Sequence, residues 1–402
     1  AWKIPYLLGF TVVAGAAVLI LPERLIFRLW GLLGQMDRHP RRAVVGLAIG
    51  VSLAGVLYAS HQESLTDERH LLRASVIVAE QGIDQFFAGY EDITWLGGQH
   101  PPLLPLVYGL AIRLIGFRLL ALRLIATAIT AGAVLLTYYI GEAWFDRRTA
   151  MIAALCLLSM PYCLRMGTAV LTDMPLTLLF GLGLYLVHRL SLGRSLTIAV
   201  AAGVSIGLGL VSKYTMLLIY PVLLLHFLAE VRLRRAWAYV GVTVLVSAAI
   251  LGSWLLYADS QDLVAAQAET VSRYAGAVTG GAWRYFAEMI ATELPSALGL
   301  YNLPLIVLGA VLLLQQRSKS DLLVALWIAP VMAIVALTLP DPRYFMPAFP
   351  GLAIAMARRL TDFDRSVVRI VLLALLLCTG ALILFSDWNR ATFLFFPMRR
   401  TP

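Results

Sequence analysis

Residues 66–82 read TDERHLLRASVIVAEQG, and their interpretation decides how the rest of the chain is placed. Leu71, Leu72, Ser75, Val76, Val78 and Ala79 recur at helical spacing. The pattern predicts an amphipathic helix lying along a membrane surface. Its start carries two adjacent carboxylates, Asp67 and Glu68, just beyond an apolar run that ends near Tyr58. Charges beside a bilayer are costly and are kept where they are used or paired. A bland reading stands next to that one. Thr66 suits a helix N-cap, and acids are favoured in a first turn by the helix dipole.

Working outward, one apolar run of bilayer length follows another. Spans are expected at about 4–21, 43–60, 119–141, 149–167, 174–190, 196–212, 214–229, 237–257, 300–315, 321–339, 343–358 and 366–385, with a shorter run at 103–118. Of the 402 residues, 60% are hydrophobic and 14% charged, against roughly 25% charged in soluble domains. The mean hydropathy is +0.82. The expected fold class is therefore all-α, a polytopic membrane protein of about 12–13 transmembrane helices. The chain opens on Ala1, and its first span lacks an A-x-A-like end, so it reads as retained rather than cleaved. Cys156, Cys163 and Cys378 fall within or at the ends of spans, without metal-ligand spacing, and read as small core hydrophobes.

The net charge of +9 is no nucleic-acid signal. Its arginines and lysines sit in short connections: Arg38/Arg41/Arg42, Arg147/Arg148, Arg232/Arg234/Arg235, Arg317/Lys319 and Arg358/Arg359. That is the bias of cytoplasmic loops. Two longer polar stretches, 61–102 and 258–299, hold interfacial aromatics and few cations, and are placed outside. If 103–118 crossed fully, Asp173 would fall inside and Arg147-Arg148 outside. If it is interfacial or re-entrant, as its proline-led start and Arg113 suggest, every basic loop is inside. Asp67, Glu68 and Asp173 then share the outer face.

Asp173 stands in LTDMP, where an acid followed by Pro175 also suits a helix start. Arg343 and Tyr344 stand in LPDPRYFMPAFP; a guanidinium there offers a bidentate fork for phosphate, or a snorkelling head. Lys213, in an outer turn, runs against the charge bias. Arg165, Arg273 and Arg284 are weaker candidates for the same role. His61, His70 and His100 lie in the first outer loop, and Asp67 with His70 has i, i+3 spacing on one helix face. No HExxH accompanies them. His188 and His226 read as interfacial residues near inner helix ends. No P-loop, GxGxxG or Ser-His-Asp arrangement is visible.

The ordered set TDERHLLRASVIVAEQG, GGQHPPLLPLVYGL, LTDMPLTLLFGLGLYLVHR, GLGLVSKYTMLLIYP and RYFMPAFPGLA resembles the integral-membrane glycosyltransferases of the GT-C class. Within that class it is most similar to the dolichyl-phosphate-mannose protein mannosyltransferase-like and lipid A aminoarabinose transferase-like branch, over roughly 43–360. The resemblance implies a polyprenyl-phosphate-linked sugar as donor and a lipid, glycan or protein as acceptor. By it, Asp67 is the catalytic base, with Glu68 and Asp173 as supporting acids, or as ligands in members that use a divalent ion. His100, Lys213, Arg343 and Tyr344, with Arg273 and Arg284, would hold the lipid phosphate and the loop around it. Aminoarabinose transferases have Lys before the paired prolines, where this chain has His100 and the mannosyltransferases have His. The acceptor stays open.

The expected organisation is an N-terminal extra span and basic loop at 1–42, a GT-C-like catalytic core at 43–230, and C-terminal helices at 231–402. The expected function is an inverting glycosyltransferase in a bacterial inner membrane, its site facing outside. A transporter or flippase would show a repeat and midplane charges, and a non-catalytic subunit would have no need of the three acids.

Overall fold

The computed structural model describes residues 65–93, 100–265, 293–316, 318–338 and 341–388, with isolated positions between 39 and 55 and at 287 and 291. The expected spans 4–21 and 43–60 lie essentially outside the described residues, as do Arg273 and Arg284. Among the described residues every regular element is a helix. The first helices are α1 (Thr66–Gln81), α2 (Ile83–Ala88) and α3 (Leu103–Ile115). Then come α4 (Leu119–Trp144), α5 (Arg147–Leu158), α6 (Pro161–Arg165), α7 (Asp173–Leu192) and α8 (Leu196–Leu210). A 3₁₀ turn (Tyr214–Leu218) leads into α9 (Ile219–Ala229), followed by α10 (Val231–Arg234) and α11 (Trp237–Ser260). The remainder is α12 (Leu294–Leu298), a 3₁₀ turn (Leu300–Asn302), α13 (Leu303–Gln316), α14 (Lys319–Thr338), a 3₁₀ segment (Pro342–Ala348), α15 (Phe349–Leu360) and α16 (Arg365–Trp388).

Among the described residues four helices are long and apolar enough to cross a membrane: α4, α7, α11 and Lys319–Ala336 of α14. Leu103–Ile115, Leu196–Leu210, Tyr214–Ala229 and Leu300–Gln315 are shorter apolar helices. Several expected spans are not continuous α-helices: 214–229 and 300–315 start as 3₁₀ turns, and 149–167 and 343–358 change more deeply. The run 149–167 stops at Leu158, and α6 starts two residues on with Pro161 at its first position. The freed Ser159 carbonyl accepts from Asn302 Nδ2 (2.9 Å) and Thr379 Oγ1 (2.7 Å), with the Tyr301 hydroxyl 3.0 Å away. A helix break at membrane depth needs such internal partners. The run 343–358 begins as the 3₁₀ segment, with Pro342 at its first position and Pro347 inside it, and turns α-helical only at Phe349.

The helices pack as neighbours in chain order for the most part: α4 against α5 and α7, α7 against α8, and α8 against α11. Helix α15 closes the group against α5 and α13. Small residues set the closest approaches, as is usual where apolar burial does not drive helix association. A Cβ on Gly203 of α8 would lie 2.6 Å from Val246 Cβ and 2.7 Å from the Thr243 carbonyl oxygen on α11. At the same contact Thr243 Oγ1 donates to the Ala199 carbonyl, 3.0 Å.

Four basic connections meet at one end of the bundle. Arg148 donates to the Phe363 carbonyl, Arg358 pairs with buried Asp321 and lies over the Phe145 ring, and Lys319 pairs with Glu230. His226 is buried there rather than interfacial, bonded through Nε2 to the Leu323 carbonyl (2.8 Å) and edge-on to Trp144. His188 is half-buried against the same indole. The acids of interest sit at the other end, since α7 runs from Asp173 to Arg189 and α15 follows Arg343 and ends on Arg358 and Arg359.

Helix α3 keeps to that second end. The Leu103 N–H donates to the Val211 carbonyl beside Lys213, and the following helix α4 starts beside Glu68 of α1. Its 13 residues span about 20 Å, short of a bilayer core of roughly 30 Å, and it packs along α1. Replacing Gly203 by Val, which forces α8 and α11 apart, should destabilise the protein by about 1–3 kcal/mol. A thermal melt in detergent checks this; an unshifted midpoint would mean that the two helices slide apart freely.

Candidate active site

Helix α1 presents Asp67 and Glu68 in opposite circumstances. Glu68 is fully buried, and its carboxylate takes two bonds from Arg123 of α4, Nε at 2.9 Å and Nη2 at 2.7 Å. It also accepts the Val170 N–H (3.0 Å) in the chain leading to Asp173. A lone arginine inside LLALRLIATAIT requires a partner at that depth, and this was the signal by which the pair could have been found. Thr66 does not cap α1; it is already the first helical residue, after Leu65. The acid pair is held instead by tertiary contacts.

Asp67, half-exposed, pairs with Arg343 Nη1. Arg343 is held from its other side by Asp341, which accepts from the Arg343 N–H (2.9 Å), from Nε (3.3 Å) and from Nη2 (3.1 Å). Asp341 thus caps the 3₁₀ segment and orients the guanidinium that the segment carries. Burial opposes its ionisation, but the Arg343 guanidinium and N–H groups outweigh this and hold its carboxyl below the usual range. Sequence reasoning passed over Asp341. The signal was its place two residues before Arg343, the spacing of a side chain that bonds the backbone two residues on.

Asp173 is the first residue of α7 and is buried. Its Oδ1 lies 2.6 Å from Lys213 Nζ, so it is paired and not a free cap. The same ammonium lies 4.4 Å from the centre of the Tyr344 ring, within cation–π range. His100 adjoins this group. Tyr90 donates its hydroxyl to the His100 carbonyl, and the His-Pro-Pro turn is tied to the Lys213 turn by the Leu103–Val211 bond. Burial, and then the positive charge of Lys213, pushes the His100 imidazole down to about 3. Arg165 is buried on the last turn of α6, and Tyr162 lies within electrostatic reach of Asp341, Arg165, Arg343 and Glu293.

The structure therefore brings Asp67, Asp173, His100, Lys213, Arg343 and Tyr344 to one end of the bundle, and adds Asp341. Glu68 adjoins them but faces inward. Among the described residues no three His, Cys, Asp or Glu side chains come together as a metal site. Asp67, Glu68 and Asp173 each face a different cation, so as arranged they do not fit a shared divalent ion. What the arrangement offers is two carboxylate–cation pairs side by side, with a partly exposed base candidate and two cations suited to an anionic group.

A family model of dolichyl-phosphate-mannose-protein mannosyltransferases matches residues 99–257. That range contains Asp173 and Lys213, while Asp67 lies before it and Arg343 beyond it. The structure of ArnT from Cupriavidus metallidurans bound to undecaprenyl phosphate superposes with a TM-score of 0.62 at 16% identity, covering 80% of this chain and 60% of that one. The archaeal oligosaccharyltransferase AglB from Archaeoglobus fulgidus, in complex with an inhibitory peptide and a dolichol-phosphate, superposes with a TM-score of 0.55 at 15% identity, covering 87% and 56%. The chain spans about three fifths of the length of these structures. No curated protein matches it in sequence. At these identities the likeness is one of fold, and with the family model it supports the resemblance to the GT-C class.

The Glu68–Arg123 pair gives a stability prediction. Glu68→Ala strands a buried guanidinium and should cost about 3–5 kcal/mol. The double variant Glu68→Ala/Arg123→Leu should recover most of it in a detergent melt. A Glu68→Ala protein as stable as the parent would show that the pair does not anchor α1.

Proposed function

We propose that the protein is a membrane glycosyltransferase that moves a sugar from a polyprenyl-phosphate carrier to an acceptor hydroxyl, with inversion, on the outer face of a bacterial inner membrane. The observation that carries this reading is the Asp67–Arg343 pair beside the Asp173–Lys213 pair at one end of a GT-C-like bundle. A lipid-linked phosphate needs cations at the membrane edge, and an acceptor hydroxyl needs one carboxylate. Both requirements are met here without a nucleotide-binding domain. The charge bias of the opposite end supports an outward-facing site.

In this reading the acceptor oxygen attacks the anomeric carbon from the face opposite the phosphate. Its proton passes to the Asp67 carboxylate. The bond from the anomeric carbon to the phosphate oxygen breaks, and its electron pair stays on the lipid phosphate, which leaves. Arg343 and Lys213 stabilise the charge that gathers there. Asp173 fixes the Lys213 ammonium, and Tyr344 supports it from the ring face. Glu68 acts on the geometry through Arg123 and Val170.

Release of polyprenyl phosphate from a radiolabelled polyprenyl-phosphate mannose, followed in membranes, tests the reading whatever the acceptor. Asp67→Asn keeps size and removes the base, so turnover should fall by about 10²-fold or more; a rate within a few-fold of the parent would assign the base elsewhere. The pH–rate profile gives a separate check. An imidazole that titrates near 3 stays neutral through the working range, so His100→Gln should leave no break missing between pH 6 and 7. Loss of such a break in the variant would mean that His100 ionises in the working enzyme.

A further inference from the structure

Arg343 has two carboxylate partners that differ in kind. Asp341 belongs to the same short segment and takes three of its N–H groups, one from the backbone and two from the side chain. Asp67 comes from α1, 276 residues away in sequence, and takes only Nη1. Loss of the Asp341 contacts would undo the start of the 3₁₀ segment, which that side chain caps. Loss of the Asp67 contact costs one ion pair, its side chains 23% and 29% exposed, and no backbone bond. One partner is thus fixed and the other exchangeable. In the resting contact one oxygen of the Asp67 carboxylate, Oδ2, is taken up by the guanidinium.

We propose that Asp341 is a positioning residue that keeps the Arg343 guanidinium in place while the phosphate of the incoming lipid donor displaces Asp67 from it. The donor then frees its own general base, and an enzyme without donor holds that base masked. The inference rests on the functional reading above and deepens it. It makes phosphate and Asp67 competitors for the same N–H arm. It also requires the donor to bind before the acceptor can be deprotonated.

Competition has a sign that ordinary site residues lack. Removing a group that helps to bind a ligand weakens binding, whereas removing a competitor tightens it. Undecaprenyl phosphate serves as the probe, titrated against the full-length protein in nanodiscs. Arg343→Ala should weaken its binding by about tenfold or more. Asp67→Asn should tighten it by about 3- to 10-fold, the size of a released surface-type ion pair. Asp341→Ala should weaken binding, because the unanchored guanidinium then turns both arms to Asp67, and adding Asp67→Asn should abolish that weakening. If Asp341 merely repelled the phosphate, Asp341→Ala would tighten binding instead, which overturns its positioning role. Asp341→Asn, which keeps an acceptor for the Arg343 N–H, guards against a variant that fails to fold and should weaken binding less than Asp341→Ala. If Arg343→Ala loses the probe while Asp67→Asn binds it equally or more weakly, the gating inference fails and the phosphate site stands. If Arg343→Ala binds like the parent, the phosphate site itself is wrong.

Discussion

The buried pair of Glu68 and Arg123 is the interaction on which the arrangement of this site depends. It ties the first outer helix to the long span α4, and through Val170 it ties both to the chain that delivers Asp173. Two ions away from water cannot drift, since each is the other's principal compensation. A carboxylate one residue earlier, on the same first helical turn, is thereby aimed outward at a constant height. The neighbouring acid can then stay partly exposed and available, because it is not the one holding the helix.

From this anchor the electrostatics become a set of pairs rather than a pool of charge. Asp173 meets Lys213, and Asp67 and Asp341 divide Arg343 between them. The prolines of the outer segment matter as much as the charges. Pro342 opens the 3₁₀ segment and Pro347 lies inside it, and Arg343 and Tyr344 project from that short stretch toward Asp67 and Lys213.

Much of this was legible before the structure. The hydropathy runs give the helices, the arginine-rich connections give the end at which they gather, and a non-crossing 103–118 brings Asp67 and Asp173 to the same end. What the sequence concealed lay in partnerships. Glu68 and Asp67 are adjacent and chemically alike, and nothing local says that one faces Arg123 and the other Arg343. Asp341 went unremarked within LPDPRYFMPAFP. The breaks at Leu158 and Ala348 were hidden because apolar composition records depth and not helical continuity, and proline tolerance in a span depends on donors from elsewhere. His226 looked like an interfacial residue because its partner, the Leu323 carbonyl, lies on a helix distant in sequence.

The Ser159 carbonyl, whose partners come from residues 301–302 and 379, also bears on how the chain assembles. A ribosome feeds these parts into the membrane in order, so α5 and α6 arrive with a broken backbone before any of these three donors to its carbonyl. Until residues 301–302 enter, the carbonyl must find its donor in water or elsewhere in its surroundings. Arrival of α16 completes the set, because Thr379 brings the last of the three donors to a carbonyl laid down more than two hundred residues earlier.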